Sequence, residues 1–89
     1  MRVTLLTQDQ CDFCSDAKAL LERLALEYPL TVQTLDLGSP EGRRLGEAGG
    51  ILFAPGVFID GEPYAYGRQS ERKLRRELSG RMHRQAASA

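Results

Sequence analysis

The chain has two cysteines, and they stand three positions apart in the run Cys11-Asp12-Phe13-Cys14. This run follows an apolar segment, residues 3–6, and precedes a stretch with helical periodicity. Two thiols at the first turn of a helix can close into a small disulfide with little backbone movement, which suits reversible redox chemistry. All sulfur chemistry of the chain therefore depends on this pair.

The same pair has two other interpretations, as buried inert thiols or as half of a metal site. Structural zinc takes four protein ligands and catalytic zinc takes three, and the single histidine, His83, lies near the C-terminus. A metal would therefore need ligands from a second subunit. Because the chain by itself lacks the ligands for a zinc site and the two cysteines have a redox-type spacing, we favour the redox interpretation.

Length, charge and hydropathy narrow the class of protein. Eighty-nine residues, 42% of them hydrophobic, predict one small domain whose core has no room for a large cofactor cavity. Twelve basic residues balance twelve acidic ones, so we expect no nucleic-acid or membrane partner. The chain enters a strand-like segment directly after Met1, and no apolar run reaches transmembrane length. These features predict a cytoplasmic protein.

The elements around the pair predict a βαβ unit. Residues 2–7 predict a buried strand, and residues 30–37 alternate as a second strand. Between them, Asp12 to Tyr28 predict an amphipathic helix that ends before Pro29. Its apolar stripe consists of Phe13, Ala17, Leu20, Leu21, Leu24 and Leu26. Two strands joined in this way run parallel, with a right-handed crossover.

The second half of the chain predicts a short helix and then a hairpin. Residues 39–41, Ser-Pro-Glu, are a helix-start pattern. An Asp60-Gly61 turn between residues 57–59 and residues 62–66 indicates a β-hairpin. Pro63 in the second arm donates no ladder hydrogen bond, so that strand must lie at an edge of the sheet.

The last predicted helix begins near Ser70 and stops at Gly80. We therefore predict a domain over residues 1–80, followed by a flexible tail over residues 81–89. The element order β, α, β, α, β, β, α predicts an α/β domain around one mixed four-stranded sheet.

Three coincident features resemble the small glutaredoxin-like members of the thioredoxin-fold superfamily over roughly residues 1–79. They are the Cys-x-x-Cys between the first strand and helix, Pro55 just before the third strand, and Gly67 before the last helix. The resemblance implies a single thioredoxin-like domain, βαβ-α-ββα, with thiol-disulfide oxidoreductase activity and no bound cofactor. It also implies that Pro55 follows a cis peptide bond and that Ala54 offers its backbone to the substrate.

The two cysteines have different expected roles. Cys11 is the expected nucleophile, because the N–H groups and dipole of the helix N-terminus stabilise a thiolate there. Cys14 lies one turn into the helix and is the expected resolving thiol. The expected partners are a protein or small-molecule disulfide as substrate and an external thiol reductant or reductase. We expect the protein to act as a monomer.

Two residues between and beside the cysteines differ in how they fit the family pattern. Phe13 conforms, because glutaredoxins commonly have an aromatic residue there, whereas Asp12 stands where they commonly have proline. A carboxylate beside Cys11 should raise the pKa of its thiol relative to a neutral residue, and Asp9 and Asp16 add to the acidic surroundings.

Glutathione is a candidate reductant or substrate, and the residues give mixed indications. Glutaredoxins bind it partly through a basic residue before the cysteine pair, where this chain has Gln8. Gly67 and Arg68, at the start of the last helix, are positioned to hold a carboxylate. Two alternatives stay open: a thioredoxin-reductase-dependent redoxin, and a dimeric module in which the pair binds a metal or an iron-sulfur cluster.

Overall fold

The predicted βαβ unit and hairpin share one sheet in the computed structural model, which describes residues 1–88 and the side chains of residues 1–86. The elements are β1 (Arg2–Thr7), α1 (Asp12–Leu24), β2 (Thr31–Asp36), α2 (Pro40–Gly49), β3 (Gly56–Ile59), β4 (Glu62–Tyr66) and α3 (Glu71–Ser88). The strand order is β2-β1-β3-β4. β1 is parallel to β2 and antiparallel to β3, which is antiparallel to β4. The predicted mixed α/β sheet is confirmed.

The two faces of the sheet carry cores of different size. Alternate residues of β1 and β3 point to opposite faces, as the period of two requires. On one face they meet α1 and α3 in a cluster of Val3, Leu5, Ala17, Leu20, Leu21, Leu24, Val57, Ile59, Leu74 and Leu78. On the other face, buried residues Leu6, Ile51 and Phe58 form a smaller cluster that Leu45 of α2 packs against.

The hairpin between β3 and β4 has the predicted turn. Asp60 and Gly61 both have positive φ, 50° and 84°, as a two-residue primed turn requires. The Asp60 carboxylate also accepts a hydrogen bond from the backbone N–H of Arg2 at 2.8 Å, which holds the turn against β1. β4 is an edge strand, so the predicted place of Pro63 is confirmed.

The predicted end of the first helix at Tyr28 is wrong, because α1 ends at Leu24. Beyond it, the N–H groups of Leu26 and Glu27 bond to carbonyls three residues back, at 3.1 and 3.0 Å. This tighter winding takes Leu26 off the buried stripe, and its side chain is 88% exposed. Pro29 then prevents the helix from resuming.

The predicted end of the last helix at Gly80 is also wrong, because α3 continues to Ser88. Gly80 does not adopt the positive φ of a helix-terminating glycine. Arg81, directly after it, pairs with Glu77 one turn back at 2.9 Å and with Glu62 of β4 at 3.8 Å. These contacts favour continuation of the helix. Ala89 lies outside the described residues, and the domain boundary at residue 80 stays a prediction.

A cluster of ion pairs joins α3 to the end of α1 and the turn that follows it. Arg75 pairs with Glu27 at 2.6 Å and with Glu71 at 3.0 Å, and Arg23 pairs with Glu71 at 2.8 Å. Hydrogen bonds from Arg75 are the largest cause of a lowered pKa at both Glu27 and Glu71. The cluster thus holds the start of α3 beside α1, whose other end carries the cysteine pair.

Candidate redox site

The cysteine pair lies at the end of the sheet where β1 leads into α1. Cys11 is the N-cap residue of α1 and has an extended backbone. Its sulfur is joined to that of Cys14 in a disulfide, with a Cα to Cα distance of 5.2 Å. Cys14 is only 5% exposed, whereas Cys11 is half-buried, so Cys11 is the more accessible sulfur of the two.

The start of α1 directs a hydrogen-bond donor at the Cys11 sulfur. The backbone N–H of Cys14 donates to Cys11 Sγ at 3.1 Å. N–H groups in the first turn of a helix have no carbonyl partner within the helix, so a side-chain acceptor at the N-cap satisfies one of them. The same N–H group and the positive end of the helix dipole favour negative charge on Cys11 when the disulfide is reduced.

Strand pairing brings Pro55 and Gly67 to the end of the sheet that carries the cysteines. Leu6 of β1 pairs with Gly56 of β3, and Gly56 pairs with Tyr66 of β4. Pro55, directly before Gly56, and Gly67, directly after Tyr66, therefore lie close together. The Ala54–Pro55 peptide bond is cis, as the family resemblance implies. Gly67, with φ of 80°, donates its N–H to the Pro55 carbonyl at 2.7 Å.

The segment before Pro55 leaves backbone groups unpaired. Among the described residues, neither the N–H nor the C=O of Ala54 has a hydrogen-bond partner, and the same holds for Leu52 and Phe53. Unpaired groups of this kind at an accessible edge are available to an extended peptide. This is the feature that the predicted substrate-binding role of Ala54 requires.

Gly56, directly after the cis bond, is needed for close packing. A Cβ atom there would lie 2.7 Å from Cγ2 of buried Ile51 and 3.5 Å from Cβ of Leu6. The side chain of Ile51 therefore occupies the space that any larger residue at position 56 would take. The glycine at position 56 lets Ile51, which follows α2, pack directly against the start of β3 beside the site.

The charged groups near the pair are mixed. A groove of about 390 Å³ is lined by both cysteines and by Asp9, Asp12 and Lys18. Lys18 was not among the predicted site residues, although its position one turn after Cys14 on the same helix face was a signal for it. Gln8, where glutaredoxins have a basic residue, also lines this groove.

The predicted residues Phe13 and Arg68 are both exposed. Phe13 lies in the first turn of α1 and is 49% exposed. Arg68 lies between Gly67 and Ser70, at the start of α3. Ser70 caps that helix, because its hydroxyl accepts the N–H of Lys73 at 3.2 Å. The fold thus brings this part of the predicted glutathione site to the same end of the sheet as the cysteines.

Sequence reasoning missed an exposed aromatic pair beside Pro55. The rings of Phe53 and Tyr66 have centroids 6.4 Å apart, and the side chains are 67% and 62% exposed. The available signal was Leu52-Phe53, an apolar run outside any periodic element and directly before Ala54-Pro55.

The described residues contain neither a ready metal centre nor a membrane-spanning helix. No three histidine, cysteine, aspartate or glutamate side chains in this part of the chain come together as metal ligands. None of its helices combines the length and the apolar character needed to cross a bilayer.

Solved structures with a similar fold include several thioredoxins. A mutant thioredoxin from Halobacterium salinarum aligns with a TM-score of 0.70 and 25% identity, over 89% of this chain and 72% of that one. The thioredoxin-like protein BC3987 aligns with a TM-score of 0.67 and 25% identity, over 82% and 96%. Thioredoxin 1 from Thermosipho africanus has a TM-score of 0.67 at 13% identity, over 98% and 99%, which shows the fold alone.

Comparison by sequence points to one family. No curated protein matches the chain significantly. The family model described as Glutaredoxin, however, matches residues 3–64, well over half of the chain, including both cysteines and Pro55. This match, the thioredoxin-like fold and the Cys11–Cys14 disulfide together support redox oxidoreductase activity. The chain belongs to the glutaredoxin family.

Proposed function

We propose that the chain is a dithiol oxidoreductase that reduces protein or small-molecule disulfides, with Cys11 as nucleophile and Cys14 as resolving thiol. The observation that carries this proposal is the hydrogen bond from the Cys14 N–H to Cys11 Sγ at the start of α1. It supports Cys11 as the sulfur on which negative charge is stabilised. The greater burial of Cys14 supports the same assignment.

The first half of the cycle forms a mixed disulfide. The Cys11 thiolate attacks one sulfur of the substrate disulfide, the substrate S–S bond breaks, and the other substrate sulfur leaves as a thiolate that takes up a proton. The unpaired backbone of Ala54 hydrogen-bonds to the substrate chain next to the reacting sulfur. Pro55, which is buried and held through its carbonyl by Gly67, keeps that segment in place.

The second half of the cycle releases the reduced substrate. Cys14 loses its proton and attacks Cys11 Sγ, the mixed disulfide breaks, and the second substrate sulfur leaves as a thiol. Two electrons have then passed from the cysteine pair to the substrate, and the pair is left as the Cys11–Cys14 disulfide seen in the structure. An external thiol or dithiol reductant must return two electrons before the next cycle.

The electron donor can be identified by finding which reductase system supports turnover. Lys18 and Arg68 are cations near the site that can meet the carboxylates of glutathione, whereas Asp9 and Asp12 repel them. Turnover with NADPH, glutathione and glutathione reductase, compared with NADPH and thioredoxin reductase, separates the two donors.

We propose that the chain works as a cytoplasmic monomer. A metal- or cluster-binding dimer would instead show bound metal and twice the mass after anaerobic purification.

Substrate trapping tests the proposed roles of the two cysteines. In Cys14→Ser the cycle should stop at the mixed disulfide on Cys11, so disulfide partners from a cell extract should remain attached and be released by dithiothreitol. Cys11→Ser is the matched control and should trap nothing. Trapping by Cys11→Ser alone would reverse the assigned roles, and equal trapping by the two variants would remove the distinction between them. No trapping by Cys14→Ser would refute the reductase function.

A further inference from the structure

The exposed apolar side chains of this molecule are concentrated at the cysteine end of the sheet. Six large apolar side chains are exposed among the described residues, and four of them lie on or beside the site: Phe13, Leu52, Phe53 and Tyr66. The other two, Leu26 and Met82, lie after α1 and late in α3. Exposed apolar side chains that gather at one place mark an interaction surface.

The aromatic pair has a fixed place relative to the unpaired backbone. Phe53 directly precedes Ala54, and Tyr66 is held beside Gly56 by strand pairing. The hydrogen bond from Gly67 to Pro55 ties these two segments together at 2.7 Å. If a substrate chain lies along residues 52–54, one of its side chains would therefore contact the rings of Phe53 and Tyr66.

Charge differs between the two sides of the site. Residues 48–59 contain no charged side chain, and the two charged residues that line a cavity with Leu52, Arg43 and Glu47, have opposite signs. On the Cys11 side, Asp9 and Asp12 line the groove together with Lys18, and Asp16 follows on the exposed face of α1. Arg68 is the cation beside Gly67. The carboxylates outnumber the single cation of the Cys11 side.

From these observations we propose that Phe53 and Tyr66 determine substrate choice. The preferred substrate is a polypeptide disulfide with an aromatic or large aliphatic residue on one side of the reacting cysteine and a lysine or arginine on the other. The apolar residue packs on the two rings and the basic residue meets Asp9 and Asp12. Glutathione disulfide, which is anionic and has no large apolar side chain, is disfavoured. This inference rests on the proposed reductase function.

The test uses the pre-reduced full chain and cyclic octapeptides with one disulfide, in which the flanking residues are Phe or Ser and Lys or Glu. Oxidation of the cysteine pair is followed by acid quench, alkylation and mass spectrometry. The peptide with Phe and Lys should react about tenfold faster than the one with Ser and Lys. It should also react several-fold faster than the one with Phe and Glu, and only this second ratio should shrink in about 0.5 M salt.

Variants assign each preference to its residues. Phe53→Ser and, separately, Tyr66→Ser should each bring the Phe-to-Ser peptide ratio close to one. Leu26→Ser, at an even more exposed apolar residue away from the site, should keep the wild-type ratio. Asp12→Asn should lower the Lys-to-Glu ratio, and Glu22→Gln on the exposed side of α1 should not. Circular dichroism confirms that each variant is folded before its rates are compared.

The outcomes separate this inference from the function beneath it. Equal rates for the four peptides, or glutathione disulfide reacting as fast as the best peptide, would overturn the inference while the reductase function stands. Bis(2-hydroxyethyl) disulfide is the neutral reference substrate. If neither it nor any peptide oxidises the reduced pair, the reductase function fails and the inference falls with it.

Discussion

Replacing Gly56 with alanine should destabilise the protein through one identified contact. The new Cβ would lie 2.7 Å from Cγ2 of Ile51, whereas apolar carbons in contact are about 3.5–4.0 Å apart. Relief requires a movement of about 1 Å, and Leu6 Cβ, 3.5 Å from the new Cβ, is already in van der Waals contact. The backbone of Ile51 is held by its hydrogen bond to Gly46 at 2.8 Å.

The expected loss of stability combines two opposing contributions. Overpacking a buried site costs about 1–3 kcal/mol. Replacing glycine in a strand returns about 0.5–1 kcal/mol, because the unfolded chain loses conformational freedom. Gly56→Ala should therefore lower the free energy of unfolding by about 1 kcal/mol, measured by urea denaturation of the oxidised protein.

A double-mutant cycle with Ile51→Ala shows whether that contact is the cause. Ile51→Ala alone should cost about 2–5 kcal/mol, because it opens a cavity. Since the alanine at position 56 would fill part of that cavity, the double variant should lose at least about 1 kcal/mol less than the sum of the single losses. The control is Gly80→Ala in α3, whose new Cβ meets only the flexible end of Arg84 at 3.2 Å and which should be slightly stabilising. Additive single effects, or a Gly56→Ala variant as stable as the wild type, would refute the packing argument.

Two further predictions concern charge. Asp12→Asn should move the midpoint of the pH dependence of Cys11 alkylation downward by about half a unit, because a carboxylate beside the sulfur opposes thiolate formation; an unchanged midpoint would count against that role. Arg75 lowers the pKa of Glu27 and Glu71 below the ordinary value of 4.5, so the stability it provides is complete above about pH 4.5 and is lost as the pH falls through the lower folded values. Arg75→Met should therefore unfold at a lower urea concentration than the wild type at pH 7, and the difference should narrow towards pH 3. A constant difference would contradict this reasoning.

Features that depend on a few neighbouring residues were predicted correctly from the sequence. The cysteine spacing, the Asp60-Gly61 turn and the Ser39 cap are local patterns, and the structure contains all three as a disulfide, a primed turn and a helix start. The edge position of Pro63 also followed from local chemistry, because a residue without an N–H donor does not fit a central strand.

Helix ends were predicted less well, because they depend on competing contacts. A glycine stops a helix when it adopts positive φ, and Gly80 does not, since Arg81 pairs with Glu77 and with Glu62 of a distant strand. The residues near Gly80 do not predict the ion pair between Arg81 and Glu62. Leu26 matched the helical period of α1, but the chain tightened into a turn before reaching it.

The sequence by itself determined the chemistry of this protein, because the only two thiols stand at the start of a helix in a βαβ unit. The tertiary structure alone decided what surrounds them. It placed the Phe53–Tyr66 pair beside Pro55. It also packed Ile51 so closely against position 56 that only glycine fits there without a shift. These residues meet because antiparallel pairing brings the end of β1, the start of β3 and the end of β4 to the same end of the sheet. Contacts between such separate segments depend on which strands pair across the sheet, and that pairing involves residues far apart in the sequence.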